Sequence, residues 1–110
     1  MAIPYNSNYL ETVPFSDVCA QFALDSGAEL TFTIPGSATQ NYRCEFHYNS
    51  TSNIFVRLNG TVTVPGAGTV TTQQYNEFRT EIKYVKGGDV IHVITPDTTA
   101  YMSLSLMSLN

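Results

Sequence analysis

Residues 42–48 have the sequence YRCEFHY, and this stretch decides the fold class. Its apolar side chains occupy every second position, at Tyr42, Cys44, Phe46 and Tyr48. Alternate side chains of a strand point to opposite faces of the sheet, whereas a helix needs apolar residues three or four positions apart. The stretch therefore predicts a strand with one buried face and one wet face.

Two earlier segments show the same period of two. Residues 18–24 carry their apolar side chains at Val18, Ala20, Phe22 and Leu24. Residues 29–34 carry theirs at Leu30, Phe32 and Ile34. Both segments are predicted to be half-buried strands.

Turn signals separate these strands from later ones. Asn59 and Gly60 lie between the β-rich residues 54–58 and 61–64, and they supply the two positive-φ positions of a type I′ hairpin turn. Further turn clusters occupy residues 25–27, 65–68 and 86–89. Residues 72–78 alone have helical potential, for one or two turns at most.

The last strands are apolar on both faces. Residues 90–94 have the sequence VIHVI, and residues 101–109 carry apolar side chains at both even and odd positions. This pattern predicts strands covered on both sides, by a second sheet and by a neighbouring subunit. About eight short strands in all predict an all-β fold: a single antiparallel, jelly-roll-like β-sandwich over residues 18–110 behind an extended N-terminal arm, residues 1–17.

Composition narrows the class of protein. At 110 residues the chain is long enough for one domain. Charged residues make up 13%, about half the usual share for a soluble domain. Four acids and no bases precede Arg43, which predicts no nucleic-acid partner. No apolar run is long enough to span a membrane, and the N-terminus lacks the pattern of a secretory signal.

The spacing of the candidate reactive side chains argues against a shared catalytic or metal-binding site. Cys44 and His47 are an odd number of residues apart on one strand, so they point to opposite faces and cannot hold one metal ion. The same spacing separates Asp89 from His92, which predicts that His92 is a packed or interface residue rather than a general base. Glu77 and Glu81 alternate with basic residues, as on a solvated strand face.

We therefore expect no enzyme activity and no catalytic, cofactor-binding or metal-binding residues. Cys19 and Cys44 are predicted to be free thiols, because one possible bridge does not make a disulfide framework.

The arm, residues 1–17, is aromatic, mildly acidic and stiffened by Pro4 and Pro14. Ordering its backbone would cost on the order of 20 kcal/mol, at about 1–2 kcal/mol per residue. Its apolar side chains are those of Ile3, Tyr5, Tyr9, Leu10, Val13 and Phe15. Docking on a partner offsets such a cost more easily than burial on the arm's own small domain, which favours an assembly protein.

Residues 53–70, NIFVRLNGTVTVPGAGTV, and residues 77–109, EFRTEIKYVKGGDVIHVITPDTTAYMSLSLMSL, resemble the head decoration, or cement, proteins of tailed bacteriophages. The resemblance is one of size and style, without a diagnostic motif. It implies a structural virion protein, made in the host cytoplasm, that binds the capsid exterior and clamps neighbouring capsomers. The implied partners are the major capsid protein and further copies of this chain, as a trimer.

On this hypothesis the arm docks on the shell through Ile3, Tyr5, Tyr9, Leu10 and Phe15. The contacts between subunits are made by Phe55, Tyr101, Met107 and Leu109.

Two other classes remain open. One is a carbohydrate- or receptor-binding β-sandwich module of a phage tail or fibre, since seven tyrosines could supply stacking platforms. The other, a secreted trimeric ligand of the TNF or C1q type, would need a signal that the N-terminus does not show.

Overall fold

The computed structural model describes residues 17–70 and 76–109. These residues form eight strands and no helix. The strands are β1 (Val18–Asp25), β2 (Leu30–Thr33), β3 (Asn41–Tyr48), β4 (Phe55–Leu58), β5 (Glu77–Phe78), β6 (Ile82–Lys86), β7 (Val90–Ile94) and β8 (Thr99–Ser108). The predicted helical potential is wrong for residues 77–78, which are β5, and residues 71–75 lie outside the described part.

The strands form two four-stranded sheets, and every strand pair is antiparallel. The first sheet has the order β1-β8-β3-β6 and the second the order β2-β7-β4-β5. The pairing is nested: β1 pairs with β8, β2 with β7, β3 with β6 and β4 with β5. The pairs β3·β8 and β4·β7 complete the sheets.

One hydrophobic core lies between the two sheets. Phe22, Cys44 and Leu104 enter it from the first sheet, and Val56 and Val93 from the second. The inward faces predicted for β1 and β3 are confirmed, because their apolar side chains belong to this core or pack against it. The two sheets therefore make the predicted antiparallel β-sandwich.

The face predicted for residues 29–34 is confirmed only toward its end. Ile34 is buried, Phe32 is half-buried and Leu30 is exposed. Leu30 remains open to solvent because it begins β2, which is an edge strand of the second sheet.

The outer side of β7 is covered by the chain itself. Val62 and Ile94 are buried, yet neither belongs to the core between the sheets. Val62 donates its backbone N–H to Glu29 Oε2 at 2.8 Å, and the same oxygen lies 3.1 Å from His92 Nδ1 on β7. Residues 61–64, which we call the cover segment, therefore cross the outer face of the second sheet.

The predicted hairpin at Asn59 and Gly60 is wrong. Of this pair only Asn59 has a positive φ, 58°, and residues 61–64 form no strand. Asn59 instead exchanges hydrogen bonds with Val90, through its backbone N–H to the Val90 carbonyl and through its Oδ1 from the Val90 N–H. These bonds keep the end of β4 on β7, so the chain leaves the sheet rather than folding back along it.

Candidate docking edge

Large exposed apolar side chains gather at one edge of the sandwich. Leu58 ends β4, Phe78 lies on β5, and Ile82 and Tyr84 lie on β6; between 44% and 74% of each residue is exposed. We call these four residues the docking edge. By strand register, Ile82 and Tyr84 lie on the outer face of the first sheet, Phe78 lies on the outer face of the second sheet, and Leu58 lies on its inner face. The four residues therefore flank one edge from both sides, and exposed apolar side chains concentrated in this way are a candidate site of interaction with other proteins.

A groove of about 220 Å³ opens at this edge, between β6 of one sheet and β4 and β5 of the other. Its floor is made of buried core residues: Phe46, Val56, Val85 and Ile91. Leu58 and Tyr84 line its walls. The groove is therefore an opening into the core, wide enough to receive an apolar side chain of a partner.

The polar side of the groove is a charged pair with fixed geometry. Lys83 Nζ lies 2.9 Å from Glu77 Oε2, and Thr80 Oγ1 donates to Glu77 Oε1 at 2.7 Å. The hydrogen bonds from Lys83 and then from Thr80 lower the pKa of Glu77 below its ordinary value. Because the two charges compensate each other, the groove favours neither an anionic nor a cationic partner.

The turn from β6 to β7 lies at one end of the docking edge. Asp89 is buried and accepts hydrogen bonds from the Lys86 backbone N–H at 2.9 Å, from Lys86 Nζ and from Asn59 Nδ2, both at 3.1 Å. A Cβ atom at Gly87 would collide with the backbone of Gly36 and Ser37. The turn is therefore packed closely against the neighbouring loop.

Arg79 lies at the other end of the docking edge. This residue has a φ of 52°, and its guanidinium lies 5.0 Å from the centre of the Tyr48 ring and donates to the Ser52 carbonyl. The Tyr48 hydroxyl donates to the Thr80 carbonyl at 2.6 Å, and burial raises the pKa of Tyr48. The sequence prediction of a solvated strand face is thus wrong at Arg79, which is half-buried in a turn.

The structure divides the predicted subunit contacts between the two sheets. Phe55 lies on the second sheet with its ring centre 5.2 Å from that of Phe78, beside the docking edge. Tyr101 and Met107 point outward from the first sheet, and Leu109 follows the end of β8. Tyr101 and Met107 are six residues apart, which is about 20 Å along a strand. Together the four do not form one patch.

The predicted shell contacts of the arm, Ile3, Tyr5, Tyr9, Leu10 and Phe15, lie outside the described residues. Asp17 is the first residue described, and it is tied to β8. Its backbone N–H donates to the Leu106 carbonyl at 2.8 Å, and its carboxylate accepts the Ser108 N–H at 2.6 Å. The arm therefore joins the sandwich at the end of β8.

The predicted separation of the cysteine and histidine side chains is confirmed. Cys44 is buried in the core, and His47 is exposed on the other face of β3. Cys19 is exposed, so the two cysteines point to opposite faces of the first sheet, and both are free thiols. Among residues 17–70 and 76–109, no three His, Cys, Asp or Glu side chains gather in a way that could hold a metal ion.

His92 is a packed residue, as predicted, but its partner is one that sequence reasoning missed. Its side chain is 16% exposed and faces Glu29, whereas Asp89 bonds to the β6–β7 turn. The docking edge was missed as well. A signal existed in β6, where apolar residues occur at both even and odd positions in a strand as short as five residues.

No family model, curated protein or solved structure matches this chain. No helix long and apolar enough to cross a membrane occurs in the described ranges.

Proposed function

We propose that this chain is a structural virion protein that binds the outer surface of a tailed-bacteriophage capsid and clamps neighbouring capsomers. The observation that carries the proposal is the docking edge, where Leu58 and Tyr84 flank an opening into the core and Phe78 and Ile82 expose further apolar surface. Such a surface suits a protein partner better than a soluble metabolite, since its polar groups, Glu77 and Lys83, already satisfy each other.

The size of the edge indicates that it acts with a second element. Burying a large apolar side chain contributes about 1.5–3 kcal/mol, but association costs at least about 4 kcal/mol in lost freedom. A stable interface uses roughly 20–30 residues on each side. We propose that the arm supplies the remaining contact with the major capsid protein through Ile3, Tyr5, Tyr9, Leu10 and Phe15.

Binding of this kind stabilises a shell by mass action. A ligand that binds only the assembled shell lowers the free energy of that state and raises its resistance to rupture. The proposed location is thus the capsid exterior. The proposed state is a homo-oligomer, a trimer on the basis of the resemblance to decoration proteins, with Phe55 beside Phe78 as its best-placed contact.

We also propose that the sandwich is a jelly roll. The nested pairing of β1 with β8, β2 with β7, β3 with β6 and β4 with β5 supports this assignment. Such pairing is what results when one long antiparallel hairpin is rolled into two four-stranded sheets, and a jelly roll has eight strands arranged in two sheets.

The decisive experiment measures co-sedimentation of the full chain with expanded and unexpanded heads of candidate tailed phages, with light scattering to give the oligomeric state. The double variant Ile82→Ser/Tyr84→Ser should retain its fold and bind expanded heads at least about tenfold more weakly, since two apolar contacts are lost. Leu30→Ser, an exposed leucine at the opposite edge of the sandwich, is the matched control and should bind normally.

Deletion of residues 2–15 tests the arm. Among the described residues, the core between the sheets begins at Phe22, with Val18 and Ala20 packed against it. The shortened chain retains all of these residues, so we expect it to remain a folded β-domain and to lose head binding. Normal binding by both the shortened chain and the double variant would contradict the proposal.

A further inference from the structure

A shallow depression of about 370 Å³ lies on the outer face of the first sheet, away from the docking edge. Tyr101, Gln21, His47 and Ser103 line it, and Asn49 stands at its end. Its volume falls in the lower part of the range of about 300–1,000 Å³ that is typical of small-molecule sites. No lysine, arginine or carboxylate lines it.

Strand register builds this depression. Gln21, Ser103 and His47 form one row across β1, β8 and β3. Tyr101 is the next outward residue along β8, about 7 Å from Ser103, and its partner on β1 is the small Ala23. Small side chains at Ser103 and Ala23 therefore leave room between an aromatic ring, an amide and an imidazole.

Most polar side chains here have no hydrogen-bond partner among the residues that the structure describes. The exception is Asn49, whose Oδ1 accepts from Ser52 Oγ at 2.6 Å, so it offers a ligand only its amide N–H groups. Neither the Gln21 amide nor the hydroxyls of Ser103 and Tyr101 make a hydrogen bond within residues 17–70 and 76–109. His47 Nε2 lies 3.9 Å from Glu45, beyond hydrogen-bond distance. Elsewhere on this sheet Gln40 donates to Ser108 at 2.7 Å, and Arg43 lies 3.1 Å from Glu45.

This combination selects a class of ligand. A 58% exposed tyrosine ring can stack on an apolar C–H face, while amide and hydroxyl groups beside it can exchange hydrogen bonds with ligand hydroxyls. An anionic ligand would find no cation, and an apolar peptide would leave the amide and hydroxyls unpaired. Neutral sugars offer both an apolar face and a ring of hydroxyl groups.

We propose that the Tyr101 depression binds a neutral saccharide. Tyr101 is the stacking platform, and Gln21, Ser103 and Asn49 hold the hydroxyl groups. Tyr101 lies on β8, two strands from β6 of the docking edge in the first sheet, whereas His47 at the near side of the depression is close to Ile82. An oligomer repeats the depression for multivalent binding.

The test is an NMR titration of the full chain with methyl glycosides of glucose, galactose, mannose and N-acetylglucosamine, and with short neutral oligosaccharides of each. At least one probe should bind with a millimolar Kd and shift resonances only around Gln21, His47 and Tyr101. The titrations with oligosaccharides show whether the natural ligand is a hexose polymer or an N-acetylhexosamine polymer.

Variants make the test specific. Tyr101→Ala should weaken binding at least about tenfold, and Tyr101→Phe should keep most of it, because stacking needs the ring rather than the hydroxyl. Gln21→Ala should weaken binding by about threefold to tenfold. Tyr84→Ala removes an even more exposed tyrosine on the outer face of the same sheet; as the control, it should leave saccharide binding unchanged while it removes a contact of the docking edge.

The inference is overturned if no probe produces shifts up to about 50 mM, the weak limit for a useful site. It is also overturned if Tyr84→Ala weakens binding as much as Tyr101→Ala. Saccharide binding by a chain that ignores every phage head would support this site, contradict the capsid proposal and favour a tail or fibre module. Head binding without saccharide binding would contradict only the site.

Discussion

The two sheets of this sandwich present different outer faces. The second sheet is covered at β7 by its own chain, since Val62 of the cover segment is buried and is bonded to Glu29, whose carboxylate lies against His92. The first sheet is open among the described residues, and the middle of its outer face is polar, with rows such as Gln21, Ser103 and His47. The outer face of the second sheet is thus closed at β7, whereas the middle of the outer face of the first sheet is open to a ligand among the described residues.

The difference shows what a strand that is apolar on both faces can mean. In β7 the pattern does report a covered strand, and residues 61–64 of the same chain supply cover at His92 through Glu29. Outward apolar residues in a strand therefore predict that the strand is covered, but they do not show which segment or chain covers it. In β8 serines separate Tyr101 from Met107, and no comparable cover occurs in the part of the chain that the structure describes.

The two thiols of the first sheet give the largest expected difference. Cys19 lies on the open face, whereas burial, followed by the charge of Glu45, raises the pKa of Cys44 to about 12. Native protein should be alkylated by iodoacetamide at Cys19 at least about a thousandfold faster than at Cys44, since Cys44 must wait for unfolding. Mass spectrometry of timed samples measures both rates, and Cys19→Ser should leave almost no rapid labelling. Equal rates in the native protein would mean that the core is open.

The second largest expected difference is the loss of stability caused by a charge placed on each of the two outer faces. Val62→Asp puts a carboxylate at a 1% exposed position beside Glu29, so it should lower the free energy of unfolding by at least about 3 kcal/mol. Ser103→Asp on the open face should change it by no more than about 0.5 kcal/mol. Urea denaturation compares the two. Similar losses for both variants would contradict the distinction between a covered and an open face.

The smallest of these effects is a pH dependence carried by Glu29. The backbone N–H of Val62 is the main cause that lowers the pKa of Glu29 below its ordinary value of 4.5, and His92 also contributes. Because the folded pKa is below the unfolded one, the stabilisation is present above about pH 4.5 and is lost as the pH falls through the folded pKa. Glu29→Gln should cost about 1–2 kcal/mol at neutral pH and little at acidic pH.

Glu45→Gln is the matched control for this pH dependence. Glu45 lies on the open face in a solvent-exposed pair with Arg43, and such pairs contribute about 0–1 kcal/mol. Urea titrations between neutral and acidic pH should therefore show a much smaller change for this variant. Equal pH profiles for Glu29→Gln and the unaltered chain would show that the Glu29 contacts do not hold the cover segment.

Local patterns predicted much of the fold. The period of two in β1 and β3 gave both the strands and their inward residues, because each strand faces one core. The hairpin at Asn59 failed because the turn signal is local, whereas the bonds that decide its conformation come from Val90 and Asp89, about 30 residues away in the chain. Sequence alone does not reveal which distant strand offers a better partner.

The candidate sites depended still more on distant residues. The Tyr101 depression needs residues from β1, β3 and β8, and the groove needs both sheets. Tyr101 could be chosen from the sequence as an outward apolar residue, but its polar neighbours are set by strand register. Their presence changes its interpretation from a subunit contact to a ligand platform.

Nested pairing has a consequence for how the chain folds. Only β4 and β5 are paired strands that are consecutive in sequence, while β1 must find β8 across almost the whole described chain. Loop-closure entropy opposes such distant pairings until the inner ones have formed, so we expect folding in about milliseconds to seconds rather than microseconds. We therefore expect the strand pair β1·β8 to close last, so that Asp17 ties the arm beside the end of β8 only then. A chain made this way acquires the attachment point of its arm only when the rest of the sandwich is complete.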